Sequence, residues 1–238
     1  MPEIDVMAFG AHPDDIELGC GGTLIKLTEA GRRIVLVDLV RGELGTRGTP
    51  KIRRQESEKA AEILGATKRE NLELEEGNIH STPDATRRVV EAIRRWRPTM
   101  LFVPYWQDRH PDHVHTSKLV YEATFLAGLP RFDTGQDNHR PTKLLYYMGW
   151  QAFTPSFIVD ISEQFERKMA AIQAYATQFV QDASSDPPTR LTAPMTEWLI
   201  HSRMGYHGSL IGKRYGEGFL IRGHLEVKDP LELKFSSF

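Results

Sequence analysis

Short apolar runs alternate with longer segments of helical periodicity up to residue 130. Three runs are continuous enough to predict buried strands of a parallel sheet. They lie at residues 4–9, 34–40 and 99–103. A weaker run at residues 71–74 is a further strand candidate. Between the runs, apolar residues recur at helical spacing and the segments end at glycine or proline, which predicts helices. The predicted helices cover residues 23–30, 52–64, 84–97 and 114–127.

Past residue 130 the pattern changes. It predicts strands at residues 143–150 and 157–161 and an amphipathic helix at residues 165–176. Residues 181–194 are rich in Ser, Asp, Thr and Pro and predict a long loop, of the kind that forms lids, binding loops or subunit contacts. Residues 206–219 are rich in glycine, so a helix is not expected there and no element is assigned.

The alternation of strand and helix predicts the fold class. Strand, loop and helix in regular succession favour right-handed crossovers and a mostly parallel sheet. We therefore expect an α/β protein with a three-layer, Rossmann-like architecture and helices on both faces of the sheet. No linker or internal repeat divides the sequence, so residues 1–238 are expected to form a single domain.

Composition narrows the class of protein. Apolar residues make up 40% of the chain and charged residues 26%, as in ordinary globular proteins. The 30 basic and 32 acidic residues nearly cancel, so no nucleic acid or anionic membrane is expected as a partner. No apolar run reaches the ~18 residues of a membrane span, and the N-terminus lacks the pattern of a signal peptide. A cytoplasmic protein is expected. The single cysteine, Cys20, excludes an internal disulfide and a cysteine-based zinc site.

Two clusters of histidine and aspartate follow strands that lie far apart in the sequence. The first cluster, after the strand at residues 4–9, consists of His12, Asp14 and Asp15. The second, after the strand at residues 99–103, consists of His110, Asp112 and His113. In open α/β sheets, ligands bind outside the carboxyl ends of the strands. We therefore expect the two clusters to meet in one pocket and to hold a catalytic divalent metal, with Zn²⁺ as the first candidate and another divalent ion as the alternative.

These residue types suit a catalytic zinc site. Such a site commonly has three protein ligands from His and Asp/Glu and leaves one position open. The predicted ligands are His12, Asp15 and His113. Zinc lowers the pKa of water to about 7, and a carboxylate that is not a ligand then serves as general base. Asp14 is the predicted base, since neighbouring residues of a turn point in different directions. Glu17 and Asp112 are candidates for orienting the imidazoles through their far ring nitrogens.

Other chemistries find less support in the sequence. The stretch Gly19-Cys20-Gly21-Gly22 invites a dinucleotide-binding interpretation, but Leu24 stands where the third glycine belongs. The carboxylates at this helix start would also repel a pyrophosphate. A P-loop, a Gly-x-Ser-x-Gly elbow and a His-Glu-x-x-His motif are all missing from the sequence. Nucleophilic serine or cysteine catalysis is therefore not expected.

Four arginines lie near the clusters in sequence, and two of them are the preferred anchors for an anionic substrate group. Arginine binds carboxylate through two parallel hydrogen bonds. The preferred residues are Arg53 and Arg109, and the other two are Arg47 and Arg54. For any single arginine, a place on a solvated helix face is the alternative interpretation.

With these motifs, the chain resembles the LmbE-like, or PIG-L, family of zinc-dependent N-acetylglucosaminyl deacetylases. The resemblance rests on residues 11–17, 42–45, 53–56 and 110–113 and extends over most of the chain. The later stretches at residues 175–179 and 216–219 are similar to the bacterial branch that deacetylates N-acetylglucosaminyl-malate in bacillithiol biosynthesis.

The resemblance implies roles for individual residues. It implies one zinc ion per subunit on the three ligands already predicted, with Asp14 as general base. His110, as an imidazolium, would assist the tetrahedral intermediate, and Asp112 would fix its orientation. Relatives that deacetylate mycothiol precursors carry a tyrosine two residues before the first histidine of the second motif. This chain has Asp108 there, and Tyr206 is a candidate substitute. The resemblance also implies a homo-oligomer, often a hexamer in this branch.

Three functions remain open from the sequence. The first is zinc-dependent removal of acetyl from a small N-acetylglucosamine-type molecule, with N-acetylglucosaminyl-malate as the expected substrate. The second is hydrolysis of another amide, in an N-acetyl sugar such as diacetylchitobiose or in a thiol conjugate. The third is a metal-binding or sugar-binding protein without turnover. The intact Asp14 and His110 argue against the third, because binding alone needs neither residue.

Overall fold

A seven-stranded sheet forms the middle layer of the protein. The computed structural model describes residues 4–181 and 185–235. The strands are β1 (Val6–Gly10), β2 (Ile34–Asp38), β3 (Lys68–Asn71), β4 (Met100–Pro104), β5 (Lys143–Tyr147), β6 (Phe157–Asp160) and β7 (Gly216–Leu220). The helices are α1 (Asp15–Glu29), α2 (Pro50–Leu64), α3 (Pro83–Trp96), α4 (Pro111–Ala127), α5 (Phe165–Gln173), α6 (Ala176–Phe179) and α7 (Pro194–Leu210).

The sheet is mostly parallel, as predicted. Its strand order is β3-β2-β1-β4-β5-β7-β6. The first five strands in this order pair in parallel, and β7 pairs antiparallel with β5 and β6. The chain leaves β1 for β2 on one side, while β4 lies on the other side of β1. The order of the strands thus reverses between β1 and β4, and a ligand site is expected at such a switch point.

Both faces of the sheet are covered by helices. Met7 and Phe9 of β1 belong to a core with α3 and α4, whereas Val6 and Ala8 belong to a second core with α1 and α2. Successive side chains of a strand point to opposite faces, so a strand between two helical layers must be apolar throughout. This explains the unbroken apolar runs of β1 and β2 and confirms the predicted Rossmann-like α/β class.

Helix α1 begins earlier than its glycines suggested. It starts at Asp15, so Gly19 and Gly22 lie inside it. A Cβ atom at Gly19 would stand 2.1 Å from a ring carbon of Tyr147, and one at Gly22 would stand 2.7 Å from Ile161. Gly19 therefore allows α1 to pack closely against β5, and Gly22 allows it to pack closely against Ile161, which follows β6.

One further predicted element was wrong, and a segment that was left unassigned contains parts of two elements. Strand β3 spans Lys68–Asn71 rather than residues 71–74. It lies at the edge of the sheet and carries polar side chains, so no apolar run marks it in the sequence. Residues 206–219 contain the end of α7 and the strand β7. Gly208 lies in this helix, and a Cβ there would be 2.6 Å from the backbone nitrogen of Tyr215. The glycine therefore allows the helix to pack closely against the backbone that precedes β7.

Within the predicted loop at residues 181–194, residues 185–193 form neither helix nor strand, and α7 begins at Pro194. Residues 182–184 lie outside the described residues. Arg47 donates hydrogen bonds to several backbone carbonyls of the segment at residues 177–187. Arg47 is thus a buried structural residue. Within residues 4–181 and 185–235, no helix has both the length and the apolar character needed to cross a membrane.

Candidate active site

The two predicted clusters meet at the switch point between β1 and β4. The first cluster occupies the turn from β1 into α1, and the second occupies the turn from β4 into α4. The ring centroid of His110 lies 4.8 Å from that of His12 and 4.9 Å from that of His113. Parallel pairing of β1 with β4 brings these turns together, although they are far apart in sequence.

Asp15 lies between two imidazoles. Its Oδ1 is 3.0 Å from Nε2 of His113, and its Oδ2 is 3.4 Å from Nδ1 of His12. The ligand atoms of these three buried residues all lie within 4.8 Å of one another. Atoms that bind one zinc ion tetrahedrally at 2.0–2.2 Å are roughly 3.3 Å apart. The three residues therefore fit a single divalent metal.

Each of the two imidazoles faces a further carboxylate at its other ring nitrogen. Nε2 of His12 lies 3.3 Å from Asp112 and 3.5 Å from Glu76, and Nδ1 of His113 lies 3.3 Å from Asp108. These are charge contacts rather than hydrogen bonds of good geometry. Carboxylates in this place orient metal-binding histidines and raise their basicity. The arrangement supports the same three ligands.

A second group of three residues, His12, His110 and Asp112, also has the spacing of metal ligands. In this group Asp112 lies 3.3 Å from Nε2 of His12. However, His110 is only partly buried, and its Nδ1 is occupied by the backbone N–H of Asp112 at 3.3 Å. We favour the group around Asp15, which is buried throughout and has carboxylates behind both imidazoles.

The pKa shifts show how much negative charge the site concentrates. Burial lowers the pKa of His12, but Asp112 and Asp15 outweigh it and raise the value to about 10. At His113 burial again lowers the pKa, and Asp15 and Asp108 raise it to about 9. Burial raises the pKa of Asp15, but the two imidazoles hold it well below its usual range. A pocket that binds protons this firmly suits a cation, which displaces them on binding.

Asp14 has a different environment from its neighbour Asp15. Its backbone has a φ of 126°, a strained conformation for a residue with a side chain. Its carboxylate lies 3.3 Å from the guanidinium of Arg53, which also donates to the carbonyl of Pro13. Burial raises the pKa of Asp14 to about 7, Arg53 opposes this rise, and Asp15 adds to it. A pKa near the working pH suits a general base.

His110 is oriented by a backbone group. Since its Nδ1 accepts from the backbone N–H of Asp112, the ring proton of the neutral form resides on Nε2. Burial lowers the pKa of His110, as do His12 and His113. This direction opposes the imidazolium form that we expected. The carboxylate of Asp112 faces His12 and accepts from Gly77, so it is not what orients His110.

The remaining residues predicted for the site lie in different environments. Arg53 is buried against Asp14, and Arg109 stacks 4.0 Å over the ring of Trp150. Glu17 pairs with Arg69 at 2.5 Å and accepts from Tyr175, so the prediction that it orients an imidazole was wrong. The candidate general acid on α7, Tyr206, is 62% exposed and its ring contacts His207.

Two carboxylates of the site were missed from the sequence. Asp108 accepts from the backbone N–H groups of His110 and Trp150, at 2.8 and 2.7 Å. Burial raises the pKa of Asp108, but His113 and the backbone N–H groups of His110 and Gln151 bring it to about 2. Asp108 lies two residues before His110, and this position could have indicated from the sequence that it belongs to the site. Glu76 comes from a loop after β3, where no periodic pattern marks it.

Comparisons with known proteins agree with this geometry. The sequence model of the PIG-L family, described as GlcNAc-PI de-N-acetylase, matches residues 7–124, which contain both clusters. The diacetylchitobiose deacetylase of Thermococcus kodakarensis is 32% identical over 228 residues, covering 90% of this chain and 81% of that protein. The probable N-acetyl-alpha-D-glucosaminyl L-malate deacetylase 2 of Bacillus anthracis is 28% identical over 197 residues, covering 74% of this chain and 82% of that protein.

A solved structure extends the similarity to the whole fold. The crystal structure of a conserved protein from Thermus thermophilus superposes with a TM-score of 0.86 at 35% identity. The match covers 94% of this chain and 98% of that one. Sequence and fold thus agree over nearly the full length, and the chain belongs to the PIG-L family of GlcNAc-PI de-N-acetylases.

Proposed function

We propose that the protein is a zinc-dependent deacetylase that removes the acetyl group from the nitrogen of a small N-acetylglucosamine-type molecule. One observation carries the proposal. Asp15 lies between His12 and His113, while the adjacent Asp14 is buried beside the same group, is not among the ligands and has a pKa of about 7. A protein that only binds a metal has no use for such a base. Membership in the PIG-L family supports the same reaction class.

The mechanism assigns the metal to His12, Asp15 and His113. Bound there, zinc supplies Lewis acidity, which lowers the pKa of water to about 7 and polarises a carbonyl. Asp14 accepts the proton of the attacking water, because a pKa near neutrality keeps a substantial fraction of its carboxylate ionised. The water oxygen adds to the amide carbon, and the C–N bond then breaks. Asp14 returns the proton to the amine, which gives acetate and a free amino sugar.

Two further residues support this chemistry. The Nε2–H of neutral His110 is a donor for the oxygen that becomes negative when water adds to the amide. A fixed donor of this kind contributes about 3–4 kcal/mol to transition-state stabilisation. Arg53 holds the carboxylate of Asp14 in place and keeps its pKa from rising further.

Two substrates compete within this reaction class. The relatives are named for diacetylchitobiose and for N-acetylglucosaminyl malate, and the first is the more similar in sequence. Arg109 and Arg190 both lie over the ring of Trp150, at 4.0 and 5.2 Å. These cations favour an anionic aglycone, so we propose N-acetylglucosaminyl-malate as substrate, in bacillithiol biosynthesis, with diacetylchitobiose as the alternative.

We also propose that the protein assembles as a homo-oligomer, in the range of a hexamer. The support is an exposed apolar face on α7. Met195, Trp198 and Tyr206 are each more than 60% exposed there. Sedimentation equilibrium measures the mass directly, and a monomer would contradict this part of the proposal.

The test is a turnover assay on metal-quantified protein. Zinc-loaded and chelator-stripped protein are each given N-acetylglucosaminyl-malate and diacetylchitobiose, and released acetate is measured. We expect acetate only from the loaded protein, with the malate conjugate preferred. Arg109→Gln should lower kcat/KM for the malate conjugate and leave that for the chitobiose unchanged. Equal turnover by stripped and loaded protein would contradict zinc dependence.

A further inference from the structure

A mostly apolar cavity opens directly beside the metal ligands. Asp15, His113 and Trp150 line it, whereas Arg109 and Arg190, which lie over the Trp150 ring, do not. Leu18 of α1 and Met148 after β5 form part of its wall. Ile200 and Met204, one turn apart on α7, form another part and are nearly buried. The cavity thus runs from the metal ligands to α7.

The position of the cavity matches one half of an amide substrate. A carbonyl that reacts at the metal ligands carries its acyl carbons on one side and the sugar nitrogen on the other. Asp14, Arg53 and His110 do not line the cavity, so it is separate from the groups proposed to handle the proton and the oxyanion. Sugar hydroxyls would lose their hydrogen bonds in an apolar cavity, whereas acyl carbons gain by burial.

The size of the cavity exceeds what an acetyl group needs. The cavity has a volume of about 60 Å³. By the same measure one water-sized group needs about 10–15 Å³. An acetyl group presents a single methyl, so the cavity has room for several more carbons.

We propose that this cavity is the acyl pocket and that it accepts N-acyl chains longer than acetyl, with Ile200 and Met204 setting the limit of length. The inference rests on the proposed deacylation and adds the range of acyl groups. It makes α7, which no sequence motif marked, the element that determines acyl specificity.

The first experiment compares chain lengths on the unaltered protein. N-acetyl, N-butyryl and N-hexanoyl derivatives are made on whichever aglycone is active, malate or glucosamine, and kcat/KM is measured with zinc-loaded protein. Each buried methylene contributes about fourfold, so the N-butyryl substrate should react at least as well as the N-acetyl one. A lower kcat/KM for N-butyryl than for N-acetyl would overturn the inference.

The second experiment alters the wall. Met204→Trp fills the cavity and should lower the ratio of N-butyryl to N-acetyl kcat/KM at least tenfold. Phe125→Trp adds bulk at an exposed position of α4 outside the cavity and should leave the ratio unchanged. Ile200→Ala enlarges the cavity and should raise the ratio of N-hexanoyl to N-acetyl, which keeps the test decisive where Met204→Trp does not fold. Unchanged ratios in both wall variants would refute the assignment.

Calorimetry separates this inference from the proposed function. Hexanoate and acetate, as free product acids, are titrated into zinc-loaded protein without any turnover. Hexanoate should bind more tightly by about fourfold per buried methylene, and Met204→Trp should abolish the difference. If no N-acyl sugar is hydrolysed but hexanoate is preferred, the proposed function fails and the cavity assignment stands. If acetyl is hydrolysed and the two acids bind equally, only the cavity assignment fails.

Discussion

At the scale of single residues, two adjacent aspartates have opposite electrostatic environments, which matches the proposed roles of metal ligand and general base. Asp15 contacts two imidazoles that hold its pKa low, whereas Asp14 is buried against one guanidinium and its pKa rises to about 7. Environments that push the pKa values of neighbouring carboxyls apart are typical of acid–base catalysis. The strained backbone at Asp14 points the two side chains to different partners.

The cation beside Asp14 leads to a prediction about pH. Arg53 favours the ionised carboxylate and so lowers the pKa of Asp14. Removing its charge in Arg53→Gln raises that pKa further above its usual range. Since only the ionised form accepts a proton, the acid limb of the kcat/KM profile should move to higher pH, with a larger loss at pH 6 than at pH 9.

The neighbouring Arg54→Gln is the matched control, because Arg54 is exposed and pairs with Glu58. Its profile should coincide with that of the unaltered protein. An acid limb that stays in place in Arg53→Gln would show that Arg53 does not act on Asp14.

Asp108 carries a prediction about metal affinity. Its carboxylate faces Nδ1 of His113, and Asp108→Asn removes the charge while keeping the size. Loss of a carboxylate behind a metal-binding histidine typically weakens the metal 10–100-fold. Zinc affinity is measured by competition with a chromophoric chelator. Asp137→Asn, at an exposed position, serves as control, and equal affinity in all three proteins would refute the role.

Much of the candidate site was predictable at this scale, because most of its residues lie close together in two short sequence motifs. The motif at residues 11–17 places His12, Asp14 and Asp15 on one turn, and the turn after β4 supplies His113. Glu76 was not predictable, because only the packing of its loop against the site brings it to His12. Glu17 was assigned wrongly for the same reason: its partner Arg69 comes from β3, far away in sequence.

At the scale of elements, contacts between segments explain why the start of α1 and the position of β3 were predicted wrongly. Gly19 and Gly22 resembled a loop before a helix, yet they lie inside α1 where it meets Tyr147 and Ile161. The edge strand β3 carries polar side chains and so lacks the signal that marked the interior strands. Both errors arise because the pattern of a single segment does not reveal what packs against it.

Two glycines of α1 give a matched prediction for stability. Gly19→Ala forces a methyl into the ring of Tyr147 and should lower the free energy of unfolding by about 1–3 kcal/mol, as overpacking does. At Gly21 a Cβ would make ordinary contacts at 3.6 Å, so Gly21→Ala should stabilise by about 0.5–1 kcal/mol. Urea denaturation measures both, and an equal effect of the two substitutions would contradict the packing account.

At the scale of the whole molecule, a buried ion pair joins the late elements to the helix that carries the site. Lys168 of α5 lies 2.6 Å from Glu217 of β7, and both are fully buried. Lys168 also donates to the carbonyl of Leu18, and Glu217 accepts from the backbone N–H groups of Gly22 and Thr23. The antiparallel strand β7 is thereby attached to α1, which begins at Asp15.

Removing one partner of this pair should be costly. Lys168→Met leaves the carboxylate of Glu217 buried without its cation, and such a change lowers stability by about 3–5 kcal/mol. The double substitution Lys168→Met with Glu217→Gln removes the uncompensated charge and should recover part of the loss. Denaturation of the three proteins checks this, and a single variant as stable as the parent would contradict the role of the pair.

The fold class was predictable at this scale, and the second half of the chain was not. Alternating strands and helices indicated the parallel sheet and the meeting of the two clusters at its edge. The insertion of β7 between β5 and β6 depends on pairing over long separations, which a sequence pattern does not record. The sequence pattern also does not show that α7 lines a cavity together with the proposed metal ligands.

The central claim is that Asp15 holds the metal and that Asp14 does not. Its most direct test is the zinc content and turnover of Asp14→Asn beside Asp15→Asn. We predict that Asp14→Asn keeps one zinc ion per chain and loses about 10²–10⁴-fold in kcat, as expected for a general base, while Asp15→Asn loses the zinc itself. Near-normal turnover in Asp14→Asn, or loss of its zinc, would contradict the account.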